Sequence, residues 1–252
     1  MHERYTRFLK DISSGVDLRA IADKYELPCD DTKEAIERSI SGTLTGIFRS
    51  DVECLLTGKG CEIYVFRENG VWRFPMEKLK KNILRAIKYG IVSALHKETV
   101  TRGYERLRYL TGGITGGHVA AVFEDRIFVE LDGGAGKLVV GVCEKEHQTP
   151  KERGHYRPGD YYSFYISSVK PSSNGRVPVL KVSLSRISQS LSEGLLRKEL
   201  AERLLDIKIR CVKRAAGIFS LVEAEGRVPR ECIKAVSDEL KERIIVRDVR
   251  EK

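Results

Sequence analysis

Five short runs of β-forming residues are crowded between residues 111 and 186, divided by Gly, Pro and Asn. They are His118–Phe123, Arg126–Leu131, Leu138–Cys143, Tyr161–Val169 and Val177–Leu184. Strands this short, set this close and punctuated by turn residues predict a small barrel. Proteins use barrels of this size to lay single-stranded nucleic acid across one face. Strand count alone does not separate such a barrel from other small barrels, so the residues inside and around the runs must narrow the reading.

The flanks have different periodicities. Residues 1–50 read as helices: Leu18, Ile21, Ala22 and Tyr25 keep helical spacing, and Leu27-Pro28-Cys29-Asp30-Asp31 interrupts it. Asp31 followed by Glu34 predicts a capped start for a helix over Thr32–Phe48. Residues 61–75 read as a hairpin around Glu68-Asn69-Gly70, with Asn-Gly expected to supply the positive φ angles of a tight turn. A long helix is predicted from Met76 to Leu95, with Leu79, Ile83, Ile87 and Ile91 as its apolar stripe. Lys78, Lys81, Arg85 and Lys88 fall on roughly the opposite face. Residues 78–108 hold nine Lys or Arg against two Glu, so the face is either an electropositive ridge for nucleic acid or a solvated surface with a cationic bias. Gly112–Gly117 reads as a flexible lead-in to the barrel and a domain boundary. Beyond the barrel the pattern is a helix to about Leu205, strands over 206–213 and 218–224, a helix over 229–241 and a strand over 243–249.

Length and composition limit the function classes. The 252 residues suffice for two or three small domains, and 41% hydrophobic with 32% charged residues marks a chain that folds in water. No apolar run is long enough to span a membrane, and the start MHERYTRFLKDISS is too polar for a signal peptide, so a cytoplasmic protein without a membrane partner is expected. The net charge of +9 permits binding to a polyanion. Three Asn and two Gln beside abundant Lys, Glu and Arg is a composition that accompanies heat tolerance. The six Cys, at 29, 54, 61, 143, 211 and 232, form no CxxC pair. Cys54 and Cys61 lie too far apart in sequence for a usual zinc knuckle, so the cysteines are expected to be reduced and to serve as small core residues.

Motifs for chemistry are missing. TGGITGGHV ends in Gly117-His118-Val119, where a phosphate loop needs Gly-Lys-Ser/Thr to place an ammonium and a hydroxyl. No GxSxG or HExxH occurs. His147 and His155 sit in a Pro- and Lys-containing loop and read as surface residues. No catalytic residue, metal site or cofactor is expected, and the protein is not read as an enzyme.

Specific segments resemble a known family. GGHVAAVFEDRIFVEL is similar to the first hairpin of S1-type RNA-binding domains of the OB-fold class. HQTPKERGHYRPGDYYSFYISSV resembles the stretch of the NusA transcription-factor family that passes through a Tyr-Arg-Pro-Gly-Asp turn into the fourth strand. VSLSR followed by SQSLSEGLLRKEL resembles the NusA exit into its first KH domain, and KYELPCDDTKEAIERSISGTLTGIF resembles its opening helices. The resemblance implies an α+β multidomain chain: a helical/α+β polymerase-binding domain over 1–110, a five-stranded S1-type OB-fold barrel over 111–186 and a small KH-like domain over 187–252. The second KH domain of NusA has no counterpart in this sequence.

Candidate binding residues follow. RNA on such a barrel needs aromatic platforms for bases and cations for phosphates. His118, Phe123 and Phe128 lie where S1-type domains carry RNA-facing residues, and Lys137, Arg157 and Lys181 are candidates for phosphate. A small barrel also needs aromatics inside, so Phe123 and Phe128 fit either role. KH domains clamp RNA backbone in a GxxG loop. Here Glu225-Gly226-Arg227-Val228-Pro229-Arg230-Glu231 keeps one glycine, and the helix that normally precedes the loop is missing; Arg227, Arg230 and Lys234 are the cations left to hold RNA.

The resemblance thus implies an RNA-binding factor that docks on RNA polymerase and guides nascent RNA, with other Nus-type factors or the ribosome as further partners, modulating pausing, termination or antitermination. An S1-domain protein of translation or RNA decay is the alternative. A DNA-binding helix-turn-helix over residues 17–40 is disfavoured, because Pro28, Asp30 and Asp31 would sit where a recognition helix meets phosphates.

Overall fold

Apolar side chains collect in three clusters, each drawn from one stretch of chain: Leu27 to Leu95, Leu107 to Leu184, and Leu191 to Ile244. The structure, a computed structural model, describes residues 18–58, 60–131, 139–174 and 177–250. The polar start, Lys137 and Leu138 lie outside them. By contacts the chain divides into two compact units, 1–103 with 171–179, and 104–170 with 180–252. The described fold is α+β, with five α-helices and three sheets, one of them a closed five-stranded ring.

In the first unit, α1 (Leu18–Tyr25) and α2 (Cys29–Phe48) precede an antiparallel sheet of β1 (Val52–Thr57), β2 (Gly60–Arg67) and β3 (Gly70–Phe74); α3 (Lys81–Leu107) follows. The helix expected from Thr32 begins three residues earlier. Pro28 (φ −59°) leads directly into it, and the Thr32 amide and hydroxyl both donate to the Pro28 carbonyl at 2.9 Å, so no Asp31 cap is needed. Asp31 instead meets the Arg102 guanidinium. In the hairpin, Arg67 pairs with Gly70 around Glu68-Asn69. Among the turn residues only Gly70 takes a positive φ (+121°), where the Asn-Gly pair was expected to share that role. A strand at β1 was not foreseen, although its burial alternates strictly. Its outer edge is covered: the Cys54 and Leu56 amides donate to Ser41 Oγ (2.9 Å) and Glu37 Oε1 (2.7 Å) on α2, which blocks pairing with another strand. The helix expected to stop at Leu95 continues as α3 to Leu107; the stripe of Ile87, Ile91 and Leu95 ends the first cluster, and buried Val100 and Leu107 lie on another face of the helix, Leu107 within the barrel cluster. Met76–Lys78 is a separate 3-10 turn.

The second unit opens with a barrel of β4 (Ile114–Val122), β5 (Arg126–Leu131), β6 (Val139–Glu144), β7 (Tyr161–Asn174) and β8 (Val177–Ser185). The ring order is β4-β5-β6-β8-β7, with β7 returning to β4 and β6 parallel to β8. Val119, Ile127, Val129, Leu131, Phe164, Ile166, Val182 and Leu184 belong to its core cluster, which Leu107 joins. The expected flexible glycine lead-in is strand: Gly116 and Gly117 belong to β4. Glycine is required at 117 by crowding, since a Cβ there would lie 2.6 Å from Val129 Cγ1 and 2.7 Å from the Glu130 carbonyl.

The chain then forms α4 (Gln189–Ala201), β9 (Ile209–Ala215), β10 (Phe219–Ala224), α5 (Arg230–Leu240) and β11 (Arg243–Asp248). The sheet order is β11-β10-β9, with β10 antiparallel to β9 and parallel to β11. Residues 225–229 lead straight from β10 to α5 with no helix between. α4 ends four residues before the expected Leu205, where Leu204 turns to φ +56°.

Barrel and sheet module are joined inside this unit by Arg186, whose side chain is 0% exposed. Its guanidinium donates to both oxygens of Glu152, to the Ser163 carbonyl (2.8 Å) and to Glu239 Oε1 on α5 (3.1 Å), and it lies 5.2 Å over the Tyr162 ring. Arg214 and Glu242 form a second fully buried pair, and Glu242 also accepts from the Gly217 amide (2.8 Å) and the Ser220 hydroxyl (2.6 Å).

Candidate nucleic-acid interface

The pleat decides which barrel residues face outward. In β5, Ile127, Val129 and Leu131 are buried, so Arg126, Phe128 and Glu130 point away from the core. Across the ladder, Phe128 opposes Ala121 and Val142, and Glu130 opposes His118 and Val140. His118 and Phe128 therefore share the outer wall. Phe123 lies just past β4, its amide bonded to the Arg126 carbonyl at 2.8 Å, and its ring meets Phe128 edge-on at 5.5 Å. Phe123 is 56% exposed and Phe128 half-buried, so neither belongs to the barrel core.

The structure adds Tyr161, which sequence reading treated only as the start of a strand. It pairs with His118 across β4 and β7, the rings 4.9 Å apart and edge-on, and it stays 51% exposed. A Cβ on Gly116 would lie 1.7 Å from the Tyr161 hydroxyl, so glycine lets the tyrosine lie across the strand. The available signal was alternation: Tyr162, Phe164 and Ile166 turn inward, which sends Tyr161 out. At Ser163 and Tyr165 the outside of β7 is covered. The Ser163 amide donates to Glu239 (2.8 Å), and Tyr165 and Ile114 pack into the cluster of α4 and α5. The open part of the wall thus carries the four aromatic rings.

Arg157 stands beside this wall on the turn 157–160. The Gly159 amide donates to the Val119 carbonyl and the Val119 amide to the Asp160 carbonyl, both at 2.8 Å. Asp160 accepts from the Arg157 amide (3.0 Å), and His118 Nδ1 is 3.3 Å from the Gly159 carbonyl. The Arg157 side chain is exposed.

The cations divide into committed and available ones. Lys181 holds Glu144 at 2.5 Å, and this hydrogen bond keeps the Glu144 carboxyl below its ordinary pKa. Lys181, expected as a phosphate contact, is paired here with a carboxylate, because Glu144 ends the neighbouring strand. Arg126 is likewise paired with Asp125. Arg227, Arg230 and Lys234 are exposed at and before the start of α5, with Arg230 and Lys234 one turn apart. Arg157 and these three form no ion pair among the described residues. Lys137 falls outside the described residues. In the first unit Lys78, Lys81 and Arg85 are exposed and Lys88 is half-buried; Lys78 belongs to the 3-10 turn, not to the helix face expected for it.

The ligand atoms of Glu144, Glu146 and His147 come within 4.8 Å of one another, but the Lys181 ammonium competes with any cation for Glu144. His155 is exposed, as expected. Four cysteines are buried core residues as read from the sequence; Cys29 is exposed and Cys61 only half-buried.

Neither a protein-family model nor a curated protein matches the chain. Among solved structures, it has a likeness to a chain in the crystal structure of the a/eIF2α–aDim2p–rRNA complex from Pyrococcus horikoshii OT3. That match is 17% identical, covers 38% of this chain and 64% of the other, and has a TM-score of 0.23. The match thus spans less than two thirds of that chain, and at this score it adds nothing to the fold drawn from strand order.

Proposed function

We propose that the second unit binds single-stranded RNA, with bases on the open wall of the barrel. The observation that carries this reading is the wall itself: His118 with Tyr161, and Phe123 with Phe128, on the outside of a five-stranded Greek-key ring. Each base stacked on such a ring contributes about 1–3 kcal/mol, with little sequence demand. Arg157, Arg227, Arg230 and Lys234 are the cations to neutralise phosphates. The ring order and the parallel β6–β8 closure support the S1-type, OB-class reading. The order α4-β9-β10-α5-β11 supports a shortened KH-like module that holds RNA by charge in place of a GxxG clamp.

On this reading the whole chain is a NusA-like transcription factor. The first unit docks on RNA polymerase and the second guides the emerging transcript, by positioning and without covalent chemistry. A protein-docking role for the first unit is supported by exposed Val71 and Trp72 on β3, at the end of its sheet, because aromatics are enriched at interfaces. The test is binding of labelled oligoribonucleotides to the full chain, with affinity purification from native lysate beside it. Recovery with polymerase subunits supports the transcription reading; recovery with ribosomes in their place replaces it with the translation or RNA-decay alternative.

A further inference from the structure

Cys54 and Cys61 are separated by the β1–β2 turn in sequence, yet their sulfurs lie 3.0 Å apart. Cys54 pairs with Ile63 and Cys61 with Leu56, so the two cysteines are diagonal neighbours across one ladder, and their side chains lean together. Two non-bonded sulfurs do not rest this close without a shared proton or a bond. Both thiols are free. We propose that Cys54 and Cys61 are a redox modification site, closing to a reversible disulfide that staples β1 to β2.

Access and activation differ between the two. Cys54 is 3% exposed, packed among Leu44, Leu56 and Ile63 in the first core, whereas Cys61 is half-buried and open to a small oxidant. The hydrogen bond with Cys54 lowers the Cys61 thiol below its ordinary pKa, against burial and the nearby Glu37 and Glu62 carboxylates, which push it up. Cys54 is raised by the same contact and by burial. Cys61 is therefore the attacking sulfur and Cys54 the resolving one.

With a low-molecular-weight disulfide such as oxidised glutathione as oxidant, the Cys61 thiolate attacks one sulfur and expels a glutathione thiolate. Cys54 then gives up its proton and attacks the Cys61 sulfur of the mixed disulfide, expelling the second glutathione thiolate. Two protein thiols lose two electrons and two protons, and the small disulfide is reduced to two thiols. The sulfurs must close from 3.0 Å to about 2.05 Å, a shift within reach of side-chain rotation and slight strand movement. In a compartment rich in reduced glutathione the pair stays open, and an oxidising shift closes it.

The test treats the full chain with oxidised glutathione, then counts thiols in denaturant and maps the products by mass spectrometry. The expected result is a linked peptide pair containing Cys54 and Cys61 that is lighter by two hydrogens, loss of those two thiols apart from any adduct on exposed Cys29, and full recovery with dithiothreitol. Cys54→Ser should instead trap a glutathione adduct on Cys61, and Cys61→Ser should leave Cys54 unmodified. Retention of all six thiols, a stable glutathione adduct on Cys61 in the unsubstituted protein, or a crosslink between two chains would each overturn the proposal. Circular dichroism of the two serine variants confirms that they are read in the folded state.

Discussion

A guanidinium with no exposure must find an acceptor for its N–H groups inside the protein. Arg186 finds them in Glu152, Glu239 and the Ser163 carbonyl. Burial pushes Glu152 up, but Arg186, Thr149 and Tyr156 together hold its carboxyl below the ordinary value. A depressed folded-state pKa gives stability that is present above the unfolded value, about 4.3 for Glu, and lost as pH falls through the folded value. Arg186→Met should cost about 3–5 kcal/mol at neutral pH, because Glu152 is left as an uncompensated buried charge. Protonation relieves that charge, so the deficit in denaturant unfolding should shrink between pH 7 and pH 4; a deficit independent of pH would contradict the ion-pair account. On the open wall, His118→Ala, Tyr161→Ala and Phe128→Ala should each weaken RNA binding by about 1–3 kcal/mol with little change in melting temperature. A large fall in melting temperature with unchanged affinity would assign that ring to the core. Sequence alone offered His118, Phe123 and Phe128 but not Tyr161, and it missed Arg186–Glu152 and Arg214–Glu242. Such pairs join residues far apart in the chain, and no local periodicity marks them.

At the scale of single elements, crowding explains more than flexibility. Gly117→Ala puts a Cβ against a backbone carbonyl that has no room to yield, so it should destabilise the second unit by about 1–3 kcal/mol in urea unfolding. A neutral effect would restore the reading of this stretch as a loose lead-in. Strands with clear alternation and turn residues on both sides were legible: Arg126–Leu131 is the same in sequence and structure, and Val177–Ser185 differs by one residue at its end. The end of α3 was not, because the stripe of Ile87, Ile91 and Leu95 stops there, and the last three turns are mostly polar, with Val100 and Leu107 buried on another face. β1 was missed because its alternation is hidden: the exposed position between buried Cys54 and Leu56 is itself a leucine, Leu55. The basic residues along α3 were legible as charge, while the pairing of Lys181 with Glu144 depends on neighbouring strands that sequence does not bring together.

For the whole molecule, the two compact units suggest two tasks. The first, with exposed Trp72 and the cations Lys78, Lys81 and Arg85, is the proposed polymerase-docking part. Reversing those three cations to Glu leaves the buried stripe of Leu79, Ile87 and Ile91 untouched, so the fold should persist while the effect on pausing or termination in a purified transcription assay falls. An unchanged effect would make the ridge plain solvated surface. The second unit is the proposed RNA-binding part, and its affinity should contain a strong counterion-release component. The most direct measurement is fluorescence anisotropy of a labelled single-stranded RNA with the full chain across a salt series, run beside the His118→Ala/Tyr161→Ala/Phe128→Ala triple variant. The prediction is measurable binding at low salt that falls linearly on a log–log plot, with the variant weaker at every salt concentration but parallel in slope. Binding that is absent at low salt, or that is equal in the variant, would contradict the claim that this wall holds RNA.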